Sequence, residues 1–395
     1  MKDRLSQLIL FRDLCDTAEG YDLAARLVGF AERYGVSGNL WRAYLACAML
    51  RHENPWSLAC EGRDAPRGTL AALARRDMDI LLDLYRRDAL DAVPELRDYR
   101  PAAPQSEAAR VVGGLRDALD AAQSADEAAQ ALVACYCTRG VGTFALHRAF
   151  RATEEGTLAP VDAQPAPLAT LVGYEGQKAK LRANTEAFLA GKRANNVLLY
   201  GDAGTGKSTC VRALLAEYPD TLLRVIELPK DRLLLLTKVT QVLGGRNYRF
   251  ILFLDDLSFE ESETSYKQLK AAIEGGLAAL PENVLIYATS NRRHLIRETW
   301  KDRSDMEHDG DIHRSDTMEE KLSLSGRFGL RVYFPNPTFE EYHAIVRELA
   351  LRGGAEAVND DTLRQAASAW QVRSGNRSGR TAKQFVDDYL NGTIQ

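Results

Sequence analysis

The run with the clearest chemical meaning lies near the middle of the chain, where residues 201–208 read Gly-Asp-Ala-Gly-Thr-Gly-Lys-Ser. Glycines at its first, fourth and sixth positions let the backbone curl until successive N–H groups face an anion. This is the pattern of a phosphate-binding loop, in which the lysine reaches the β- and γ-phosphates and the serine ligates Mg²⁺. Residues 197–200 predict a strand before the loop, and 209–218 predict a helix whose N-terminus adds partial positive charge. We therefore predict an ATP-Mg site with phosphate contacts from Gly201, Asp202, Ala203, Gly204, Thr205, Gly206, Lys207, Ser208 and Thr209.

Two acids end an apolar run further along the chain. Residues 250–256 read Phe-Ile-Leu-Phe-Leu-Asp-Asp, which predicts a buried strand with Asp255 and Asp256 at its carboxyl end. Downstream of a phosphate loop, such a strand organises the metal. We assign Asp255 to Mg²⁺, together with the loop serine, and Asp256 to polarising the attacking water. Glu260 and Glu261 are the rival bases. Because Asp256 is one methylene shorter than Glu and small positional errors are costly in rate, we expect slow hydrolysis.

Further motifs follow in an order that resembles the AAA+ superfamily of ATPases. Residues 284–291, Val-Leu-Ile-Tyr-Ala-Thr-Ser-Asn, resemble the sensor 1 strand. The resemblance implies that Asn291 hydrogen-bonds the γ-phosphate and the attacking water. Residues 324–329, Leu-Ser-Gly-Arg-Phe-Gly, resemble the box that carries the arginine finger. The resemblance then implies that Arg327 reaches the ATP of a neighbouring subunit, and hence a homo-oligomer, with a ring of six as the expected assembly.

Two more segments extend the resemblance. Residues 379–385, which begin Gly-Arg, resemble sensor 2 on a helical lid and assign Arg380 to the nucleotide. Residues 171–175 resemble the segment that packs against adenine, which implies contacts from Val172 and Gly173. The likeness covers roughly residues 168–392 and is closest to a bacterial group of AAA+ ATPases catalogued as a domain of unknown function. An aromatic pore motif of the unfolding branch is missing from the sequence, which argues against a threading unfoldase.

Each supporting residue has a simpler alternative. Asn291 could merely end a strand, and Arg327 could be a surface arginine. Arg380 could be a surface charge of the lid, with Arg373 or Arg377 taking its place at the nucleotide.

The order of apolar and helical patterns predicts four regions. Residues 1–150 predict helices and a possible partner-binding region, and the proline-containing stretch 151–168 predicts a linker. Residues 169–336 predict an α/β nucleotide-binding domain, and 337–395 predict a helical lid. Short apolar strands that alternate with helices favour a parallel sheet covered on both faces, here of five strands. The predicted strands are Asn196–Tyr200, Leu222–Glu227, Phe250–Asp255, Val284–Ser290 and Arg331–Phe334.

Composition narrows the possible partners and compartments. The 395 residues carry a net charge of −4, and their basic residues are dispersed, so the sequence does not advertise a nucleic-acid or membrane surface. Six cysteines form no zinc-ligand framework and suit a reducing compartment. The start of the chain lacks an apolar signal core, so we expect a cytoplasmic protein. His308 and His313 lie in an acidic loop, 301–320, that could bind a metal or simply be solvated.

Two classes of function fit these features. One is an ATPase that remodels an unknown protein or nucleic-acid partner. The other is a slowly hydrolysing switch or scaffold that signals by ATP-dependent assembly. A small-molecule kinase is disfavoured because the finger and sensor boxes would have no purpose in it.

Overall fold

The computed structural model of the chain describes residues 6–12, 14, 20–87, 89–259, 265–274, 280–291, 295, 324–354 and 360–393. Its centre is a sheet of seven strands. The strands are β1 Ala149–Ala152, β2 Leu158–Val161, β3 Val197–Gly201, β4 Leu223–Glu227, β5 Arg249–Leu254, β6 Val284–Ser290 and β7 Leu330–Phe334. They lie in the order β2-β1-β4-β5-β6-β3-β7, and all neighbours are parallel except the antiparallel pair β1 and β2.

The five predicted strands are confirmed as β3 to β7, and they pair with one another in parallel within an α/β fold. Their apolar runs form strands buried on both faces, because alternate side chains point to opposite sides of the sheet. Leu252, Leu254 and Ile286 enter one core layer. Ile251 and Phe253 enter the other.

The sheet has two strands more than the five predicted from the sequence. Strand β1 pairs in parallel with β4, and β2 pairs with β1 at the edge of the sheet. The stretch 151–168, predicted as a linker, therefore contains sheet residues. Each added strand has only four residues, too few to give a clear alternating pattern. Pro160 lies in β2, where a proline is tolerated because the missing N–H of an edge strand faces outward.

Helices make up the regular structure of residues 20–146 and form a core of their own. Short polar side chains start several of them. Asn54 accepts hydrogen bonds from two N–H groups of the third helix, and Ser106 caps the fifth. The helices are α1 Gly20–Tyr34, α2 Leu40–Arg51, α3 Pro55–Cys60, α4 Thr69–Arg86, α5 Glu107–Ala121, α6 Ala125–Arg139 and α7 Thr143–Leu146.

The remaining helices cover the sheet and build a lid. Around the sheet lie α8 Glu175–Leu189, α9 Lys207–Glu217, α10 Leu236–Gly244 and α11 Ser265–Glu274. The lid consists of α12 Phe339–Arg352, α13 Asp360–Ser374 and α14 Gly379–Leu390, which share a separate small core. Short 3-10 turns occur at Pro94–Asp98, Leu168–Thr170 and Lys230–Leu235. In the ranges given above, no helix combines the length and apolar character needed to cross a bilayer.

A buried ion pair joins the N-terminal helices to the sheet domain. The guanidinium of Arg246, just before β5, donates to both carboxylate oxygens of Glu61, with the Nη2–Oε1 distance at 2.6 Å. Its Nη1 donates to Glu53 at 2.8 Å. Burial by itself would lower the pKa of Arg246, but the hydrogen bonds and charges of the two glutamates raise it above the ordinary value. The N-terminal helices are thus fixed to the chain segment that leads into β5.

Arg224, on β4, makes a second junction between the two regions. Its side chain is fully buried, and its guanidinium donates to the carbonyls of Phe144 and Arg139, each at 2.7 Å. Burial lowers its pKa to about 10. Carbonyls from the N-terminal region therefore satisfy the Nε and Nη2 donors of a cation inside the sheet domain, while Nη1 donates to the nearby carbonyls of Thr221 and Leu223.

Candidate nucleotide-binding site

The glycine-rich loop runs from the end of β3 to the start of α9. Gly201, Gly204 and Gly206 have φ values of 137°, 77° and 90°, a region that side chains with a Cβ adopt at a cost. The space around them is also tight. A Cβ on Gly201 would lie 2.0 Å from the carbonyl oxygen of Phe334, and one on Gly206 would lie 2.5 Å from Leu171 Cδ1. Both the backbone shape and the packing of the loop therefore require glycine.

Lys207 begins α9 and points back across the loop. Its Nζ donates to the carbonyls of Gly201 at 2.9 Å and Asp202 at 2.6 Å, and to Asn291 Oδ1 at 2.9 Å. Burial lowers its pKa, and nearby carboxylates oppose that effect. A cation held in this way is oriented toward the inner side of the loop, where phosphate oxygens bind in such folds.

Asp255 follows β5 and is held from three sides. Its Oδ1 accepts hydrogen bonds from Ser208 Oγ at 2.5 Å and Thr289 Oγ1 at 2.7 Å. Its Oδ2 accepts from Arg212 Nη2 at 2.8 Å. The Arg212 guanidinium also lies over the ring of Phe253, 5.5 Å from its centroid. The carboxylate is therefore fixed beside the first hydroxyl of α9.

Asp256 has an unusual backbone conformation. Its φ of 51° lies in the left-handed region, where aspartate is one of the few residues found. Its N–H donates to Thr289 Oγ1 at 2.9 Å, and its Oδ1 accepts from Asn291 Nδ2 at 2.8 Å. Because the same amide accepts from Lys207, Asn291 connects the loop lysine to the second acid.

A cleft of about 800 Å³ lies between the sheet and the lid. The phosphate loop and both acids line it. Apolar and aromatic side chains also line the cleft and provide a surface for a flat ring such as adenine. These are Leu171, Val172, Tyr174, Ile345 and Leu349.

The start of lid helix α14 rests directly on the phosphate loop. The N–H of Arg380 donates to the Gly204 carbonyl at 3.3 Å. A Cβ on Gly204 would lie 2.8 Å from Ser378 Oγ and 3.1 Å from Arg380 Cβ. Arg380 and Lys383 both line the cleft, whereas Arg373 stacks on the ring of Trp370. The geometry therefore favours Arg380 among the arginines weighed for sensor 2.

The other predicted contacts divide into two groups. The residues from Ala203 to Thr209 line the cleft, as do Val172 and Asn291. Gly201 and Asp202 instead support the loop, and the Asp202 carboxylate accepts from the N–H of Asn336 at 2.9 Å. Gly173 also lies outside the cleft lining, in a turn with φ of 78°.

Arg327 lies on the surface and away from the cleft lining. It is in the short connection between Leu324 and β7, where its N–H donates to the Leu324 carbonyl at 3.2 Å. Its role as a finger for a neighbouring subunit stays a prediction.

Three hydrogen-bonding residues at the site, Arg212, Thr289 and Arg352, are among those not predicted from the sequence. Arg212 lies four residues after Ser208, a spacing that places both on one face of α9, so this signal was available. Thr289 depends on which strand lies beside β5, which no local pattern reveals. Arg352, on α12, donates to the Thr170 carbonyl at 2.7 Å and ties the lid to the segment before the cleft.

Several predicted residues lie outside the described part of the chain. These are the rival bases Glu260 and Glu261 and the two histidines of the acidic loop, His308 and His313. Within the described residues, no group of three or more His, Cys, Asp or Glu side chains is arranged to hold a metal.

The residues present fit a nucleotide with Mg²⁺. A hard cation needs oxygen ligands, and Ser208 Oγ and Asp255 Oδ1 lie 2.5 Å apart at the end of the phosphate loop. Gly201, Gly204 and Gly206 give the loop the positive-φ backbone that anion-binding loops use. Ser208 and Asp255 would thus hold the cation, as the sequence predicted.

Four features together define an AAA+ nucleotide-binding fold. They are the parallel sheet in this strand order, the phosphate loop after β3, the two acids after β5 and the helical lid over the cleft. Its particular family follows from the sequence. The chain belongs to the family described as "Protein of unknown function (DUF815)", whose family model matches residues 145–393. That match begins just before β1, so it includes the two strands that were not predicted.

Other comparisons give fold likeness only. No curated protein matches the chain. Solved structures that resemble it include the Thermotoga maritima RuvB Holliday junction branch migration motor, with 17% identity and a TM-score of 0.40. A point mutant of that protein matches with 19% identity and the same TM-score. Each match covers 57% of this chain and 65% of the RuvB chain, and at this level no function can be transferred.

Proposed function

We propose that the protein is an ATPase that binds ATP with Mg²⁺ and hydrolyses it in the cleft between sheet and lid. The observation that carries this proposal is a network of hydrogen-bonded side chains at the carboxyl ends of β3, β5 and β6. In this network Lys207 contacts Asn291 and Asn291 contacts Asp256, while Ser208 contacts Asp255. A lysine, a hydroxyl, two acids and an amide are the groups that phosphoryl transfer to water requires.

The roles follow from the contacts of each side chain. Lys207 neutralises charge on the β- and γ-phosphates, and the loop N–H groups position them. Asp256 orients a water and accepts its proton as the water oxygen bonds to the γ-phosphorus and the bond to the ADP oxygen breaks. Asn291 holds Asp256 by its amide and so keeps the acid beside the lysine. Mg²⁺, bound by Ser208 and Asp255, would supply the charge that stabilises the leaving phosphate oxygens.

Assembly into a ring, with six subunits as the expected number, extends this proposal. This assembly is supported by the exposed position of Arg327. Arg327 lies in the segment that resembles the arginine-finger box, which follows the sensor 1 segment in the sequence. Head-to-tail contacts that close into a ring would give every site the arginine of its neighbour. ATP turnover would then be coupled to the remodelling of a protein or nucleic-acid partner.

A slowly hydrolysing switch is the second candidate, and one observation favours it. The catalytic acid is the shorter Asp256, and its backbone is already in the left-handed region, which leaves it little freedom to adjust. Turnover of a few per second or more, rising with protein concentration, would support remodelling. Very slow turnover with ATP-dependent assembly would support the switch.

The deciding experiment is single-turnover hydrolysis by Asp256→Asn, which removes the charge and keeps the shape. We expect this variant to bind ATP and to lose hydrolysis. Glu260→Gln and Glu261→Gln test the rival bases, and Asp231→Asn, at an exposed acid outside the cleft, serves as the control. Wild-type rates in Asp256→Asn together with loss in either glutamate variant would transfer the catalytic role to that glutamate.

A further inference from the structure

A buried threonine lies between the two acids of the site. Thr289 is near the end of β6 and is 1% exposed. Strands β5 and β6 pair with Leu254 opposite Ala288, so the next residue of each strand brings Asp255 beside Thr289. The parallel register thus places one hydroxyl at the point where the acids leave the sheet.

The direction of both hydrogen bonds at this hydroxyl is determined by chemistry. The N–H of Asp256 can only donate, so Thr289 Oγ1 accepts from it, at 2.9 Å. The single proton of the hydroxyl is then directed to Asp255 Oδ1, at 2.7 Å. One side chain therefore holds the carboxylate of the first acid and the backbone of the second.

The threonine backbone supports the same turn. The N–H of Leu257 donates to the Thr289 carbonyl at 2.7 Å. The left-handed conformation of Asp256 is unfavourable for a residue with a side chain and persists only when its surroundings fix it. Thr289 accepts two hydrogen bonds, one from the N–H of Asp256 and one from the N–H of Leu257, and these provide that fixation.

We propose that Thr289 is a positioning residue for hydrolysis. It sets the orientation of Asp255 toward the metal ligand Ser208 and holds the turn that presents Asp256 to the attacking water. This inference rests on the proposed ATPase function and adds to it a residue that acts only through the two acids.

The test compares Thr289→Val with Thr289→Ser in the full-length protein. Valine keeps the branched shape and removes the hydroxyl, whereas serine keeps the hydroxyl. For Thr289→Val we expect single-turnover hydrolysis to fall ~10–100-fold, the usual size of effect when an outer partner of a metal ligand is lost. We expect the Mg²⁺ concentration for half-maximal rate to rise and the Kd for ATP, measured with a fluorescent analogue, to stay within about threefold. Thr289→Ser should recover most of the rate.

The matched control is Thr240→Val, which removes a buried threonine hydroxyl that bonds within α10, away from the cleft. It should hydrolyse as the wild type does. Thr289→Ala provides a second deletion of the hydroxyl in case the valine variant does not fold.

The outcomes separate this inference from the function on which it rests. If the wild-type protein does not hydrolyse ATP, the proposed function fails. If the wild type hydrolyses and Thr289→Val or Thr289→Ala does so equally well, the positioning role is wrong. Equal losses in the valine and serine variants would also overturn it, because serine retains the hydroxyl.

Discussion

The ion pair between Arg246 and Glu61 leads to a quantitative prediction about the joint between the N-terminal helices and the sheet domain. The change is Glu61→Gln, which keeps the shape of the side chain and removes its charge. Glu61 is 2% exposed and Arg246 is 14% exposed, so neither group can recover its hydration without a structural change.

The size of the effect follows from this burial. Removing one partner of a buried pair leaves an uncompensated charge and costs ~3–5 kcal/mol. Glu53 still contacts the guanidinium from its partly exposed position, which offsets some of the loss. We therefore expect the free energy of unfolding to fall by about 3 kcal/mol, the lower end of that range.

The assay is urea unfolding followed by tryptophan fluorescence and far-UV circular dichroism. Trp41 and Trp56 are buried in the N-terminal core and report on the region that contains Glu61. The control is Asp91→Asn, which breaks the exposed pair of Asp91 and Arg97 and should cost about 1 kcal/mol or less.

A double-mutant cycle with Arg246→Gln isolates the pair itself. We expect Glu61→Gln to lower the free energy of unfolding much less once Arg246 has already been replaced. A coupling free energy below about 1 kcal/mol would refute this expectation and would mean that the junction depends on packing rather than on charge.

Three further predictions concern the nucleotide site and the limits of the sheet domain. Lys207→Ala removes a charge-assisted phosphate contact, so ATP binding measured by calorimetry should weaken sharply; unchanged affinity and turnover would contradict the phosphate-loop assignment. Arg327→Ala should bind ATP but lose ~10³-fold or more in rate, and mixing it with Lys207→Ala should restore some activity if the finger acts between co-assembled subunits. A fragment that begins at Pro165 lacks β1 and β2, so its thermal midpoint should lie below that of a fragment beginning at Gly142; equal midpoints would show that β1 and β2 add no stability.

The sequence was sufficient to predict the five strands β3 to β7 because they are continuous apolar runs. β6 has the predicted limits, and β4 and β7 differ from prediction by one residue at one end. β1 could not be predicted in this way, because its stability comes from pairing with β4, more than seventy residues later in the chain. A four-residue segment carries too little local pattern to reveal such a distant partner.

The same limit applies to the site. The phosphate loop and Asp255 could be predicted because each lies in one short motif whose chemistry is local. Thr289 belongs to a run that was recognised for its final asparagine, yet its contacts with both acids exist only once β6 lies beside β5. Arg246 and Glu61 are also distant in sequence, and a charged pair buried between two regions leaves no periodic signal.

The two ends of the sheet have a consequence for contact between copies of the chain. Edge strands expose unpaired backbone groups and can recruit a strand from another molecule. At one end Pro160, in β2, has no N–H to offer. At the other end the Tyr333 carbonyl, in β7, already accepts from Gln177 Nε2 at 3.0 Å. Both edges therefore discourage the strand addition that begins many forms of aggregation, and subunits that meet there are expected to do so through side chains.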